Sequence, residues 1–529
     1  MPLLVRYGYR VQELLALPEA YNAAVDFIDN APASADKVAF IDRTGSHTYG
    51  DLQNRVDAVG SALLGMGLGR DDRVAMAMLD TFDFPAVFWG AIKAGVVPIC
   101  MNTLLTTENY DYVLRDCQAR ALIVSSELLE RFAPILDDLS HLEHVVVAGA
   151  RDGDHSTLDG LVAEASDRWA PADTGKDDVA FWLYSSGSTG LPKGVRHRHG
   201  SLAQTAHTYG RSILGLAEDD VVYSAAKLFF AYGLGNAMTF PLRVGATAVL
   251  LDGRPSPDAV MEIMSKHQPT VFFGVPTLYA ALLADPANTP QSGSSRLRRC
   301  VSAGEALSEV VGSAWEERFG VPILDGIGST EMLHIFLSNR PGDVRYGSSG
   351  TPVPGYDAKI VDDSGEEVGA GELGELLVSG PSSAAGYWNQ DDKDARTFEG
   401  PWTRTGDKYT RDPDGYYHYG GRSDDMFKVG GNWVSPFEVE STIAEHEAVL
   451  EAAVIGSADE AGNLKPKAFV MLTGEGTVGD GLVAELQEHV KSRLEPWKYP
   501  RWIEFVDELP RTATGKIQRF RLRELDRTS

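Results

Sequence analysis

With 529 residues, the chain is long enough for two or more domains, each with a sizeable core. Hydrophobic residues make up 43% and charged residues 23%, the balance of a folded globular protein rather than a disordered one. An excess of acidic over basic residues, 75 to 48, leaves a net charge of −27 that repels nucleic acid and anionic membrane, so neither is expected as a partner and any anionic ligand must be met by locally concentrated cations.

In chain order, residues 1–5 are too short an apolar run for a secretory signal, and Arg6 and Arg10 follow at once. Residues 21–30 have the spacing of a short amphipathic helix, and 38–42 read as a strand with a turn at Gly45. A long helix is expected over 49–66, closed by Gly67, then a strand over 73–78. The longest apolar stretch, 84–101, is interrupted by Lys93, Gly90, Gly95 and Pro98; it reads as a core helix (86–94) running into a strand (96–99), not as a membrane span. A helix over 107–117 and a strand over 121–125 follow, and 149–178 reads as a polar surface connection. Strands at 179–183, 221–225, 247–251, 271–274, 299–302 and 322–325 alternate with helices at 257–267, 277–283 and 309–319. This alternation predicts mostly parallel sheet covered by helices. Beyond about Gly347, short strands between glycine turns (358–362, 374–379, 416–419) predict a β-rich subdomain. An α+β pattern then returns, with a helix over 436–445, strands over 452–455 and 468–472 and a helix over 483–494. The domain boundary is expected near Asp424, giving domains 1–423 and 424–529. Cys100, Cys117 and Cys300 are too widely spaced for a metal motif or a disulfide framework; they read as small core residues in a reducing cytoplasm.

Four stretches carry chemistry. Residues 184–194, YSSGSTGLPKG, follow a buried strand. The glycines let several N–H groups converge, Ser185, Ser186, Ser188 and Thr189 add hydroxyls, and Lys193 adds charge: a phosphate-gripping loop over Ser185, Ser186, Gly187, Ser188, Thr189, Gly190 and Lys193. It is not a Walker loop, because Leu191 and Pro192 separate Gly190 from the lysine and no Ser or Thr follows it. Residues 325–331, DGIGSTE, put a strand end before two glycines, a hydroxyl pair and a carboxylate; Thr330 suits a phosphate oxygen and Glu331 suits Mg²⁺, although a helix cap explains the motif equally well. Thr405, Gly406 and Asp407, with 420–425 shortly after, could offer a carboxylate to two ribose hydroxyls or form an ordinary Asp-stabilised turn. Finally, 510–516 set a lone lysine, Lys516, on a glycine turn.

In this order and spacing, the four stretches resemble the adenylate-forming superfamily of acyl-CoA synthetases, carrier-protein adenylation domains and luciferases. The resemblance covers nearly the whole chain, from about Tyr21 to Arg523, and rests also on TRTGD (403–407), GRSDDMFKVGGNWVSPFEVE (421–440) and PRTATGKIQR (510–519). Within the superfamily, AAKLFFAYGLGN (225–236), SAGEAL (302–307) and GIGSTEMLHIFLSN (326–339) resemble the benzoate-CoA ligase branch. The resemblance implies an α/β fold: a large N-terminal domain of α/β sheets with a β-rich subdomain, and a small mobile α+β C-terminal domain. It also implies roles. The loop from Ser185 to Lys193 would hold the β- and γ-phosphates of ATP. Ala303, Gly304 and Glu305 would pack on adenine with the backbone of Asp325, Gly326, Ile327 and Gly328. Thr330 would contact the α-phosphate, Glu331 would ligate Mg²⁺, and Asp407, with Arg422 beside it, would hold the ribose. Lys516 would bridge the substrate carboxylate and the α-phosphate, Asp424 would be the hinge, and Lys428, Gly430, Gly431 and Trp433 would face coenzyme A in the second half-reaction.

A carboxylate attacking a polyanion is already ionised near pH 7, so it needs charge neutralisation more than a base, and Lys516 and Mg²⁺ would supply that. Where many members of the superfamily carry a histidine beside the acyl pocket, this chain has Phe230. Phe230, Ala231, Tyr232 and Gly233, opposite His334 and Ile335 and with Ala303, Gly304 and Gly328 at the edge, suggest a flat, shallow slot for one ring. Phe229 and Phe336 read as core, whereas the polar tips of Tyr232 and His334 need partners. The expected activity is an AMP-forming aryl-CoA ligase acting on benzoate. A hydroxy- or aminobenzoate is the nearest alternative, followed by transfer to a carrier-protein thiol and by a non-catalytic nucleotide-binding relative. The expected partners are the aryl acid, ATP and coenzyme A, and a homodimer is carried as the expectation for assembly.

Overall fold

The computed structural model describes residues 16–150, 155–166, 169–186, 191–459, 462–473, 480–511 and 517–528. It divides into two compact units, one formed by residues 1–358 and 378–404 and the other by 359–377 and 405–529.

The first unit holds two large sheets. One runs Thr351–Pro352, Ile335–Ser338, Ile323–Gly328, Arg299–Ser302, Val271–Gly274, Val221–Ser224, Thr247–Val249, Val38–Asp42, Gly45–Thr48. Its interior pairings, from Ile323–Gly328 across to Val38–Asp42, are all parallel, and the remaining pairings towards both edges are antiparallel. The other runs Gly386–Tyr387, Pro192–Arg198, Val179–Ser186, Val97–Cys100, Arg73–Ala77, Ala121–Ser125, His144–Ala148, Ser156–Thr157. The strands alternate with helices as their sequence periodicity requires. The helix Tyr49–Gly65 starts with a capping box between Thr48 and Asp51, and Asp83–Ala94 stops at Gly95, whose φ of 78° is open to a residue without Cβ. The stretch 84–101 is thus a buried helix and strand, and no helix among the described residues is long and apolar enough to cross a membrane. Cys100, Cys117 and Cys300 are free and buried.

Three expectations need correction. Residues 192–198 form a strand, antiparallel to Val179–Ser186, that the sequence reading left unassigned. The stretch 21–30 is only two α-helical residues leading into a π-helical turn, Val25–Asp29. The connection 149–178 contains a helix, Leu158–Ala163, because Thr157 caps it by accepting from Gly160 N–H.

In the second unit, residues 407–411 pair antiparallel with the strand Tyr417–Arg422. A tight hairpin, Phe427–Val429 with Asn432–Val434, turns on Gly430 (φ 57°) and Gly431 (φ 89°), the positive pair that a two-residue hairpin turn demands. A three-stranded sheet, Val449–Ala458, Leu464–Leu472 and Trp502–Phe505, packs on the helices Pro436–Ala444 and Asp480–Lys491 through Val439, Ile443, Val454, Val470 and Leu486.

Candidate functional site

In the first unit, the glycine-rich stretch sits on a β-hairpin. Its arms pair Ser185 with Lys193 and Ser186 with Pro192, while Gly187, Ser188, Thr189 and Gly190 lie outside the described residues. The Ser185 hydroxyl is buried and has no hydrogen-bond partner among the described residues, so a phosphate oxygen would meet an unused donor there. Lys193 Nζ stands 2.9 Å from Glu331 Oε1, with both side chains largely buried. Burial alone would raise the Glu331 carboxyl. The charge and hydrogen bond of Lys193, joined by the Tyr387 hydroxyl, overcome it and hold the group down at about 2, a permanently ionised oxygen ligand suited to Mg²⁺.

The residues expected at adenine emerge from neighbouring parallel strands. Ser302 pairs with Asp325 in register, so Ala303, Gly304 and Glu305 leave the carboxyl end of one strand beside Gly326, Ile327 and Gly328 of the next. Crevices at the carboxyl ends of parallel strands are where open α/β sheets bind ligands. Asp325 is buried, which pushes its carboxyl up to about 8 despite the amides of Leu307 and Gly326 and the Ser302 hydroxyl.

Thr330 and Glu331 lie in the tight turn joining Ile323–Gly328 to Ile335–Ser338. Leu333 N–H donates to Thr330 O at 3.1 Å and His334 N–H to Met332 O at 2.8 Å. Leu333 adopts φ 64°, left-handed backbone that a leucine enters only when its surroundings impose it. This turn carries His334 into the interior. Its Nε2 lies 3.0 Å from Asn236 Oδ1, and its ring packs against Tyr209, Tyr232 and Phe240. Burial pushes the imidazole down to about 3, so His334 is neutral. Gly235 is required here, because a Cβ on it would come 2.4 Å from His334 Cδ2. The Tyr232 hydroxyl donates to Gly274 O and Val301 O at 3.2 and 3.3 Å. The polar tips of both residues thus find partners inside the protein. Phe230 precedes the short helix Ala231–Leu234 and lies against Phe229; Phe229, Ile335 and Phe336 are buried.

The second unit carries its own set. Asp407 and Arg422 face each other across the strand pair, with Arg422 Nη1 donating to Asp407 Oδ1 at 3.0 Å and to Thr405 O at 3.2 Å. Asp424 is exposed in the turn that follows. Lys428 and Trp433 pair across the double-glycine hairpin, Nζ 4.5 Å from the ring centroid, with Trp433 exposed to 44%. Lys516 lies outside the described residues.

Sequence reading missed Tyr387 and Asn236. Asn236 closes the stretch AAKLFFAYGLGN but has no expected role there, and Tyr387 stands in none of the motifs: Asn236 meets His334 across 98 residues and Tyr387 meets Glu331 across 56.

Known proteins match this chain over nearly its whole length. Residues 27–388 match the AMP-binding enzyme family and 438–516 the AMP-binding enzyme C-terminal domain. A benzoate–CoA ligase of Thauera aromatica is 58% identical over 513 residues, covering 96% of this chain and 97% of that protein. The crystal structure of a benzoate CoA ligase from Burkholderia xenovorans LB400 superposes with a TM-score of 0.89 at 49% identity, covering 95% of this chain and 100% of that one. That of the anthranilate CoA ligase AuaEII in complex with anthranoyl-AMP gives 0.92 at 44% identity, covering 98% and 99%. The chain belongs to the AMP-binding enzyme family.

Proposed function

We propose that the protein is an AMP-forming benzoate–CoA ligase. The observation that carries this reading is the turn 330–334, which joins an ionised carboxylate paired with Lys193 to a buried histidine packed among aromatic rings. Phosphate chemistry and an aromatic wall thus lie a few residues apart on one turn. The likeness to benzoate–CoA ligases over nearly the full chain supports the same reading.

In the first half-reaction, a benzoate oxygen attacks the α-phosphorus of ATP, and the bond to the leaving pyrophosphate breaks. Lys193 and the Ser185–Gly190 loop bind the β- and γ-phosphates, Thr330 orients the α-phosphate, and Asp407 with Arg422 holds the ribose hydroxyls. Lys516 neutralises charge between the carboxylate and the α-phosphate. Mg²⁺, held by Glu331 and phosphate oxygens, would supply further neutralisation. In the second half-reaction the thiolate of coenzyme A attacks the acyl carbon and AMP leaves, with Lys428, Gly430, Gly431 and Trp433 on the thiol side and Asp424 as the pivot between the two arrangements. The free, buried cysteines suit the reducing cytoplasm as the place of action.

The engaged Tyr232 hydroxyl favours an unsubstituted ring. His334 Nδ1, buried without a hydrogen-bond partner among the described residues, supports a second reading in which a ring amino or hydroxyl group donates to it. AMP release, measured for benzoate, aminobenzoates, hydroxybenzoates, hexanoate and octanoate with and without coenzyme A, decides between them. Benzoate should lead, and AMP should be released only with coenzyme A, because without it the reaction stops at benzoyl-AMP and pyrophosphate. Faster turnover of octanoate than of benzoate would refute the aromatic slot.

A further inference from the structure

Three elements distant in sequence meet at one hydroxyl. Gly386–Tyr387 pairs antiparallel with the strand Pro192–Arg198, setting Tyr387 opposite Val195, and Asp394 fixes its backbone by accepting from Tyr387 N–H at 2.6 Å. Tyr387 is 3% exposed. Its hydroxyl accepts from Lys193 Nζ at 2.7 Å and donates to Glu331 Oε1 at 2.8 Å, while Lys193 also contacts Glu331 directly at 2.9 Å. The Lys193 ammonium lies 4.2 Å from the Tyr387 ring centroid. The three groups form a closed ring in which each bonds to the other two.

Lys193 and Glu331 satisfy each other. Under the function proposed above, on which this inference rests, they must part: the lysine turns to phosphate oxygens and the carboxylate to Mg²⁺. Separating a buried ion pair leaves each charge short of a partner, which is costly unless another group takes over. We infer that Tyr387 is the positioning residue that makes this exchange possible. Its hydroxyl keeps donating to Glu331 when Lys193 leaves, so the carboxylate is never stripped of its hydrogen bonds and stays aimed where the ion arrives. The ring, a second partner for the ammonium, holds Lys193 near while it changes acceptors.

The test measures equilibrium binding of MgATP and of AMP to the full-length protein by calorimetry, for the wild type, Tyr387→Phe, Lys193→Ala and the double variant. AMP lacks the β- and γ-phosphates, so its binding needs no exchange. Tyr387→Phe keeps the ring and removes one hydrogen-bonded hydroxyl, which for a bond to a charged group corresponds to a loss of about tenfold or more. Expected are a weakening of MgATP of that size, AMP within about twofold of wild type, and no further MgATP loss from Tyr387→Phe once Lys193 is already alanine. If Lys193→Ala weakens MgATP but Tyr387→Phe does not, or weakens AMP equally, or acts equally without the lysine, the exchange role is wrong and Tyr387 is merely structural. If Lys193→Ala leaves MgATP binding unchanged, the assignment of Lys193 to the phosphates itself fails.

Discussion

Acid should unfold the first unit through its buried histidines, and His197 isolates the effect. His197 is fully buried on the strand Pro192–Arg198, stacks on its cross-strand neighbour Phe181 at 4.9 Å, and has no hydrogen-bond partner at either ring nitrogen among the described residues. Burial pushes the imidazole down to about 3, against a partial upward pull from the charge of Glu331. The unfolded chain titrates near 6.5, so between the two values it binds a proton that the folded chain refuses. Stability from this group is therefore complete above about pH 6.5 and falls as pH drops towards the folded value. Each unit is worth about 1.36 kcal/mol, so at pH 5 the loss is about 2 kcal/mol. His197→Phe keeps a stacked ring and removes the titration. Scanning calorimetry of wild type and variant at pH 7.5 and pH 5 should show the variant gaining about 2 kcal/mol relative to wild type on acidification, or about 2–3 °C in Tm for a unit of this size. The absolute difference at one pH is not diagnostic, because a phenyl ring is larger than an imidazole. An unchanged gap between the two proteins at both pH values would refute the depressed titration of His197. His199 and His207, pushed down to about 4 by burial, and His334 add to the same acid window.

Three further outcomes follow from the proposed roles. Lys516→Ala should lower adenylate formation by roughly 2.7–4 kcal/mol of barrier, judged from the loss of a comparable charge-stabilising donor, while sparing thioester formation from supplied benzoyl-AMP; pyrophosphate release at the wild-type rate would remove Lys516 from the mechanism. His334→Ala leaves Asn236 Oδ1 without its ring partner and opens the packing among Tyr209, Tyr232 and Phe240, so KM for benzoate should rise at least tenfold while KM for ATP changes little, as initial-rate kinetics in each substrate would show. Asp424→Pro fixes φ in the exposed turn after Tyr417–Arg422, and single-turnover assays should find benzoyl-AMP formed at a substantial rate but benzoyl-CoA far more slowly; equal slowing of both steps would indicate misfolding instead.

Much of this architecture is legible in the sequence because apolar periodicity and glycine stops mark most of the helices and strands. The strand 192–198 escaped because Pro192, Gly194, three basic residues and a histidine obscure an alternation that is clear only once burial is known: Val195 and His197 lie buried, while Arg196 and Arg198 remain partly exposed. The candidate phosphate loop could be proposed from its motif, since glycine, hydroxyl and lysine have few other reasons to stand together after a strand. What could not be read is partnership. That Lys193 would face Glu331 through Tyr387 depends on a strand pairing between residues 195 and 387, and nothing local at Gly386–Tyr387 announces it. The left-handed Leu333 is equally silent, because leucine is among the residues least expected there.

That leucine has a practical consequence for changing which acid the protein accepts. Glu331 and His334 are separated by a turn with no slack: its carbonyls at 330 and 332 are both used internally, Ser382 Oγ donates to Met332 O, and Ala384 N–H donates to Glu331 O. Enlarging the side chain at 334 therefore pulls on the same few bonds that hold the backbone at 331, so a bulkier residue there would strain the whole turn, whereas truncation only vacates space among the rings. Phe230 and Ala231 stand on a different segment, at the start of the short helix Ala231–Leu234, and share none of the bonds of that turn, unlike Tyr232 and Asn236, which contact His334 directly. A library for new aryl acids should vary Phe230 and Ala231 and hold 329–334 fixed.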